Sequence, residues 1–132
     1  MFTMSNKTDY GLILLGQLRK EEKFVPLAEL VEKTHLPQRF IARIASDLVK
    51  AGILMSREGK VGGYKVAKKL TDINLLDYLK IFEGNVETVK CNAGKYNCRF
   101  EEFCQHKHSL SIVISSVITT ELKKWTVADV IK

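Results

Sequence analysis

Apolar residues recur at helical spacing over most of this chain and run as short extended pieces in one place only. Tyr10, Ile13, Leu14 and Leu18 stand at i, i+3, i+4 and i+8, which predicts a helix over 5–20 with one apolar face, capped by Ser5. A charged turn, Lys20 to Lys23, separates it from a second helix that Pro26 opens and that Leu27, Leu30, Val31 and Thr34 face inward. After the short turn Thr34-His35-Leu36, Pro37 opens a third helix with Phe40, Ile41, Ile44, Ala45 and Leu48 directed inward, and Gly52 ends it with a left-handed cap. Residues 53–57 and 64–66 are extended in character around a glycine-rich turn, so they predict a hairpin. Asn74 begins a further helix, with Asp77 completing an approximate capping box, Leu75, Leu76, Leu79 and Phe82 inward, and Gly84 as the stop. The run Leu110 to Leu122 is rich in β-branched residues, yet Leu110, Val113, Ile114, Val117, Ile118 and Leu122 fit a long helix better than a strand. Its apolar stripe is wide for a lone arm and predicts packing against a second copy. Thr126 and Asp129 can cap a last short turn.

Two short helices joined by a tight turn form a helix-turn-helix candidate, and a hairpin directly after the second is a wing. The second helix of such a pair enters the major groove by its N-terminal residues. Here those are Gln38, Arg39, Ala42 and Arg43, and arginine pairs bidentately with guanine as glutamine does with adenine. In the wing, Arg57, Lys60 and Lys65 suit phosphate or minor-groove contacts. The net charge of +6 agrees with a nucleic-acid partner. An ordinary core helix with a solvated basic side has the same pattern.

All three cysteines lie between Cys91 and Cys104, with six residues before Cys98 and five after it. An odd count leaves no full disulfide pairing, and nothing resembles a secretory signal, so a reducing cytoplasm is expected. Clustered thiols there suggest an iron–sulfur cluster or zinc, one ligand short of four, and Lys90, Lys95 and Arg99 favour the thiolate forms. A loop of unligated, oxidisable thiols remains the alternative. No apolar run is long enough to span a membrane. A Ser-His-Asp arrangement, a phosphate loop and an inward acid pair are all missing, so an enzyme is not expected.

Ala51-Gly-Ile-Leu-Met-Ser56 followed by Gly59-Lys-Val-Gly-Gly-Tyr64, with Glu83-Gly84 and the cysteines beyond, resembles the NsrR/IscR family of bacterial winged-helix repressors over nearly the whole chain. The resemblance implies a cysteine loop that carries an iron–sulfur cluster and a C-terminal helix that crosses its mate in a homodimer. Lys7-Thr-Asp-Tyr10 resembles the nitric-oxide-responsive NsrR branch, in which an aspartate early in the first helix of one subunit ligates the partner's four-iron cluster. That role falls on Asp9, whose place near a helix start the helix dipole alone also explains. In the IscR branch a histidine after the third cysteine ligates a two-iron cluster. Its position is Lys107 here, which leaves His106 and His108 as second choices. The first cysteine spacing is one longer than the family's usual five, and Glu58 stands where relatives tend to carry arginine.

The expected fold is mainly α with a small β wing: a winged helix-turn-helix over 1–83, a cluster-binding cysteine loop over 84–104, and a dimerisation helix with a tail over 105–132. The expected function is a homodimeric repressor on a double-stranded DNA operator. An iron–sulfur cluster (four-iron favoured, two-iron possible) would be held by Cys91, Cys98, Cys104 and the partner's Asp9 and would sense nitric oxide, redox or iron–sulfur status. The alternatives are a thiol-redox or zinc-responsive regulator, and a small iron–sulfur electron carrier.

Overall fold

The computed structural model describes residues 3–85 and 97–132. The chain order is α1 (Asn6–Leu18), α2 (Leu27–Thr34), α3 (Gln38–Lys50), β1 (Leu54–Arg57), β2 (Gly63–Val66), a 3-10 turn (Leu70–Asp72), α4 (Leu75–Glu83), α5 (Lys107–Leu122) and α6 (Val127–Val130). It is a mainly helical chain with a two-stranded antiparallel sheet, as the sequence pattern predicts. The core joins Leu14, Leu15 and Leu18 of α1 to Leu30 of α2, to Ile41, Ile44, Ala45 and Leu48 of α3, and to Ile53 and Leu54 at the wing's root. Burial of these branched side chains stabilises the three-helix unit, by roughly 1.5–3 kcal/mol for each fully buried one.

The start of α1 differs from the expectation. Ser5 is the N-cap residue but its side chain makes no cap bond. Its amide and hydroxyl instead donate to Glu83 Oε1, at 2.7 and 2.8 Å, and the Thr8 hydroxyl donates to the same oxygen. The inward face is also rotated: Ile13 is 39% exposed, and Leu15, Gly11 and Thr8 take the inside. The reason is Tyr78. This wholly buried ring on α4 sends its hydroxyl to the Thr8 carbonyl at 2.7 Å, and it fits only because residue 11 has no side chain. A Cβ there would meet the Tyr78 oxygen at 2.3 Å. Burial, and then the charge of Asp9, pushes the Tyr78 phenol above its ordinary pKa.

Glu83 is held below its ordinary pKa, first by the Thr8 hydroxyl, against some desolvation, and further by the Ser5 amide and hydroxyl. A carboxylate depressed in the folded state contributes stability above its unfolded pKa and loses it as pH falls through the folded value. The thermal midpoint of the wild type is therefore expected to fall further on acidification than that of Glu83→Gln. Parallel pH profiles for the two would disprove an ionic tie.

Pro26 and Pro37 precede α2 and α3 as N-caps, and Gly52 takes φ +76 after α3. Phe40 corrects the expected inward set: it is 51% exposed and lies edge-on to Tyr10, with ring centroids 6.4 Å apart. It sits on the flank of the apolar stripe, where α1 covers only one side of the ring. Asn74 caps α4 by accepting from the Leu76 amide at 3.0 Å. α5 is a helix throughout 107–122, and α6 opens with a full capping box between Thr126 and Asp129. α6 returns to the domain: Val127 is wholly buried in the core and its amide donates to the Ile73 carbonyl at 2.9 Å. Among the described residues no helix is long and apolar enough to cross a membrane.

Candidate nucleic-acid interface and cysteine loop

The turn between α2 and α3 is shaped by His35, which closes α2 in the left-handed region at φ 57, and by Thr34. The Thr34 hydroxyl donates to the Leu30 carbonyl at 2.7 Å and accepts from the Leu36 amide at 3.3 Å. With the Pro37 cap this turn sets the direction of α3. Ile41, Ile44, Ala45 and Leu48 point into the core, and Gln38, Arg39 and Arg43 are exposed. Ala42 is half-buried. Arg39, Arg43, Ser46 and Lys50 follow at i, i+4, i+7 and i+11, all exposed, so they form one row along the helix. Ser46 and Lys50 extend the row beyond the residues expected from the sequence. Continuing the spacing from Arg39 would have reached both.

In the wing, Met55 pairs with Lys65 and Arg57 with Gly63. Val25, just before α2, adds an isolated bridge to Tyr64, exchanging both backbone hydrogen bonds at 2.9 Å. That bridge brings the α1–α2 turn against the wing. The Arg57 guanidinium lies 4.4 Å from the centre of the Phe24 ring, a cation–π contact. Arg57, Lys65 and Lys23 line a cleft of about 480 Å³ beside the hairpin turn, together with Phe24, Glu22, Val61 and Gly62. Lys60 is exposed at the tip and does not line this cleft. The three wing cations predicted from sequence thus divide: Arg57 and Lys65 line the cleft with Lys23, and Lys60 stands outside it at the tip.

Cys91 lies outside the described residues. Cys98 and Cys104 are half-buried free thiols, and the Cys104 sulfur lies 3.8 Å from His106 Nδ1. His106 and His108 are both exposed, as is Asp9 on α1. Among the described residues no three His, Cys, Asp or Glu side chains converge, so Asp9 forms no such group with Cys98 and Cys104 inside one chain. By chemistry the donors suit an iron–sulfur group: the loop's described sulfurs are unpaired, partly shielded from water, and one has an imidazole beside it. Phe100 and Phe103, between the two cysteines, are 65% and 79% exposed.

A helix-turn-helix with an exposed basic row, a glycine-rich wing behind it and a long helix beyond a cysteine loop define a winged-helix transcriptional regulator. A family model described as Rrf2, iron-dependent transcriptional regulator, matches residues 4–132, and the chain belongs to that family. The regulator NsrR of Oceanobacillus iheyensis is 23% identical over 128 residues, which is 95% of this chain and 86% of that protein. The solved structure of CymR, the global cysteine regulator of B. subtilis, has a TM-score of 0.73 at 25% identity, covering 99% of this chain and 97% of that one. T. potens IscR has a TM-score of 0.65 at 25% identity, covering 98% and 85%. The family and these relatives are transcriptional regulators, so the chain is a regulator and not an enzyme.

Proposed function

We propose that the protein acts as a homodimer on double-stranded DNA and that the state of its cysteine loop sets its affinity. The observation that carries the DNA reading is the exposed row Arg39, Arg43, Ser46 and Lys50 on a helix whose opposite face is fully committed to the core. Gln38 and Arg43 would reach base edges; Arg57, Lys60 and Lys65 would hold phosphates or the minor groove. The exposed apolar face of α5 supports the dimer, with Leu110, Val113 and Val117 at i, i+3 and i+7.

Cys91, Cys98 and Cys104 would hold an iron–sulfur cluster, with the fourth place taken by Asp9 of a second copy and His106 or His108 as second choices. When bound, such a group supplies a centre reactive towards nitric oxide and oxidants. The family's iron-dependent description and the resemblance to NsrR and IscR support this assignment. A carboxylate is a hard ligand for iron otherwise held by thiolates, so Asp9 suits a place that must be given up easily. A second reading, a thiol switch or zinc site, is favoured by the 3.8 Å contact of Cys104 with His106 and by the likeness to the cysteine regulator CymR.

Two measurements test these readings. Binding to the DNA upstream of the protein's own coding region is expected to weaken steeply with salt. Arg43→Ala is expected to cost roughly 1–3 kcal/mol, confined to one base position. A uniform loss over all operator variants makes Arg43 a phosphate contact, and no binding in any state removes the DNA reading. Protein isolated without oxygen is expected to be brown and to bleach with nitric oxide, with an altered spectrum in Asp9→Ala. A colourless protein holding one zinc per chain transfers the loop to the second reading.

A further inference from the structure

We propose that Glu83 is a positioning residue that couples the cysteine loop to the DNA-reading helix by serving as the cap of α1. The inference rests on the regulator reading above and adds a residue and a route that it does not contain. Glu83 is the last residue of α4, Gly84 follows it at φ +72, and Cys91 stands seven positions further on in the sequence. A carboxylate at a helix C-terminus faces the negative end of that helix's dipole, so α4 itself gives no reason for an acid there. The reason lies across the interface. Three donors from the first turn of α1 and the residue before it converge on one oxygen: the Ser5 amide, the Ser5 hydroxyl and the Thr8 hydroxyl.

The Ser5 side chain makes no cap bond of its own, so the start of α1 takes its anionic partner from a residue 78 positions away. An ordinary cap is local and moves with its helix. This one moves with the end of α4, and hence with whatever holds or releases the segment after Gly84. A second tie, from the Tyr78 hydroxyl to the Thr8 carbonyl at 2.7 Å, lies one turn further back on α4 and keeps the pairing in register. The segment so held contains Asp9, next to Thr8. It continues into Leu14, Leu15 and Leu18, which share one core with Ile41, Ile44 and Leu48 of α3. A displacement at Gly84 therefore has a continuous packed path to the helix that carries Arg39 and Arg43. Glu83 is itself exposed and touches neither the basic row nor the cleft beside the wing's turn.

The test uses the full chain and a probe confined to the loop. All three cysteines lie in 91–104, so iodoacetamide modifies that segment alone. Affinity for the DNA upstream of the coding region is measured by fluorescence anisotropy, before and after alkylation, for the wild type and for Glu83→Ala. The wild type is expected to change affinity about tenfold on alkylation, within the usual range of coupling between sites. Glu83→Ala is expected to bind within about twofold of the unmodified wild type and to change less than about twofold on alkylation. Faster amide exchange at Ser5 in the variant is the accompanying signature. Thr8→Val, which removes one donor and keeps the volume, gives the same comparison if Glu83→Ala does not fold. A variant that responds to alkylation like the wild type overturns the coupling role and leaves the regulator reading intact. A wild type that binds DNA with the same affinity before and after alkylation also overturns it. A wild type that does not bind DNA overturns both.

Discussion

Gly63→Ala is expected to lose the wing and a large part of the protein's stability. Gly63 has φ +141, a backbone conformation side chains rarely adopt, and a Cβ there would lie 2.1 Å from the Val25 carbonyl oxygen and 2.3 Å from its carbon. Both contacts are with backbone that cannot rotate away, because Val25 is pinned to Tyr64 by two hydrogen bonds. Strain of about 1–3 kcal/mol and overpacking of about 1–3 kcal/mol add to roughly 2–6 kcal/mol. A domain with only about 5–15 kcal/mol in hand would be left marginal. Gly59→Ala is the control. Gly59 has φ +101 but nothing within 4 Å of its would-be Cβ, so it carries the strain without the collision. Denaturant unfolding should rank Gly63→Ala well below Gly59→Ala, and DNA binding should fail with the former. Equal and small losses at both sites would show that the Val25–Tyr64 bridge is not what the wing is built on.

That bridge also shows where the sequence stops being readable. A single paired residue has no period, so Phe24-Val25-Pro26 reads only as a lead-in to α2. Arg57 accordingly reads as a free groove contact, whereas it rests on Phe24 beside Lys23 and Lys65. The elements with strong local signals were legible. α3 has an unbroken inward stripe, a proline before it and a left-handed glycine after it, and it stands at Gln38–Lys50. α5 was legible because helical spacing outlasted its β-branched content.

What was missed depends on partners far along the chain. Tyr78 is wholly buried although the apolar pattern of α4 does not include this polar ring, because its hydroxyl finds the Thr8 carbonyl 70 positions away. Glu83 reads as part of a stop signal, and its three donors are visible only when α1 and α4 are side by side. The return of α6, which puts Val127 into the core, is likewise a long-range fact. In the candidate site, the basic row on α3 follows from periodicity. The proposed joining of Asp9 to a cysteine loop would need a second copy of the chain; the apolar stripe of α5 points to such a copy, but no periodicity says which residues it would bring together.

Charge placed on the outer face of α5 is expected to abolish tight operator binding without touching the reading head. Leu110, Val113 and Val117 are 43%, 60% and 64% exposed, and they lie along one side of a helix whose most covered residue is Ser111. On a regulator proposed to read two half-sites, an apolar row of this kind would be the seam between protomers. Val113→Glu combined with Val117→Glu would put four carboxylates into that seam, two from each copy, where separation costs less than burial. Sedimentation should then find monomers with unchanged helix content. Linking two reading heads raises affinity by about 10²–10⁴-fold over one, so that factor should vanish on a full operator while binding to an isolated half-site stays as it was. This split separates a lost seam from a damaged fold, which would weaken both. If the doubly substituted chain still sediments as a dimer, the seam lies elsewhere. Asp9 would then lose the geometry that lets it reach a neighbouring cysteine loop, and the fourth ligand would have to come from within the chain, with His106 beside Cys104 the first to examine.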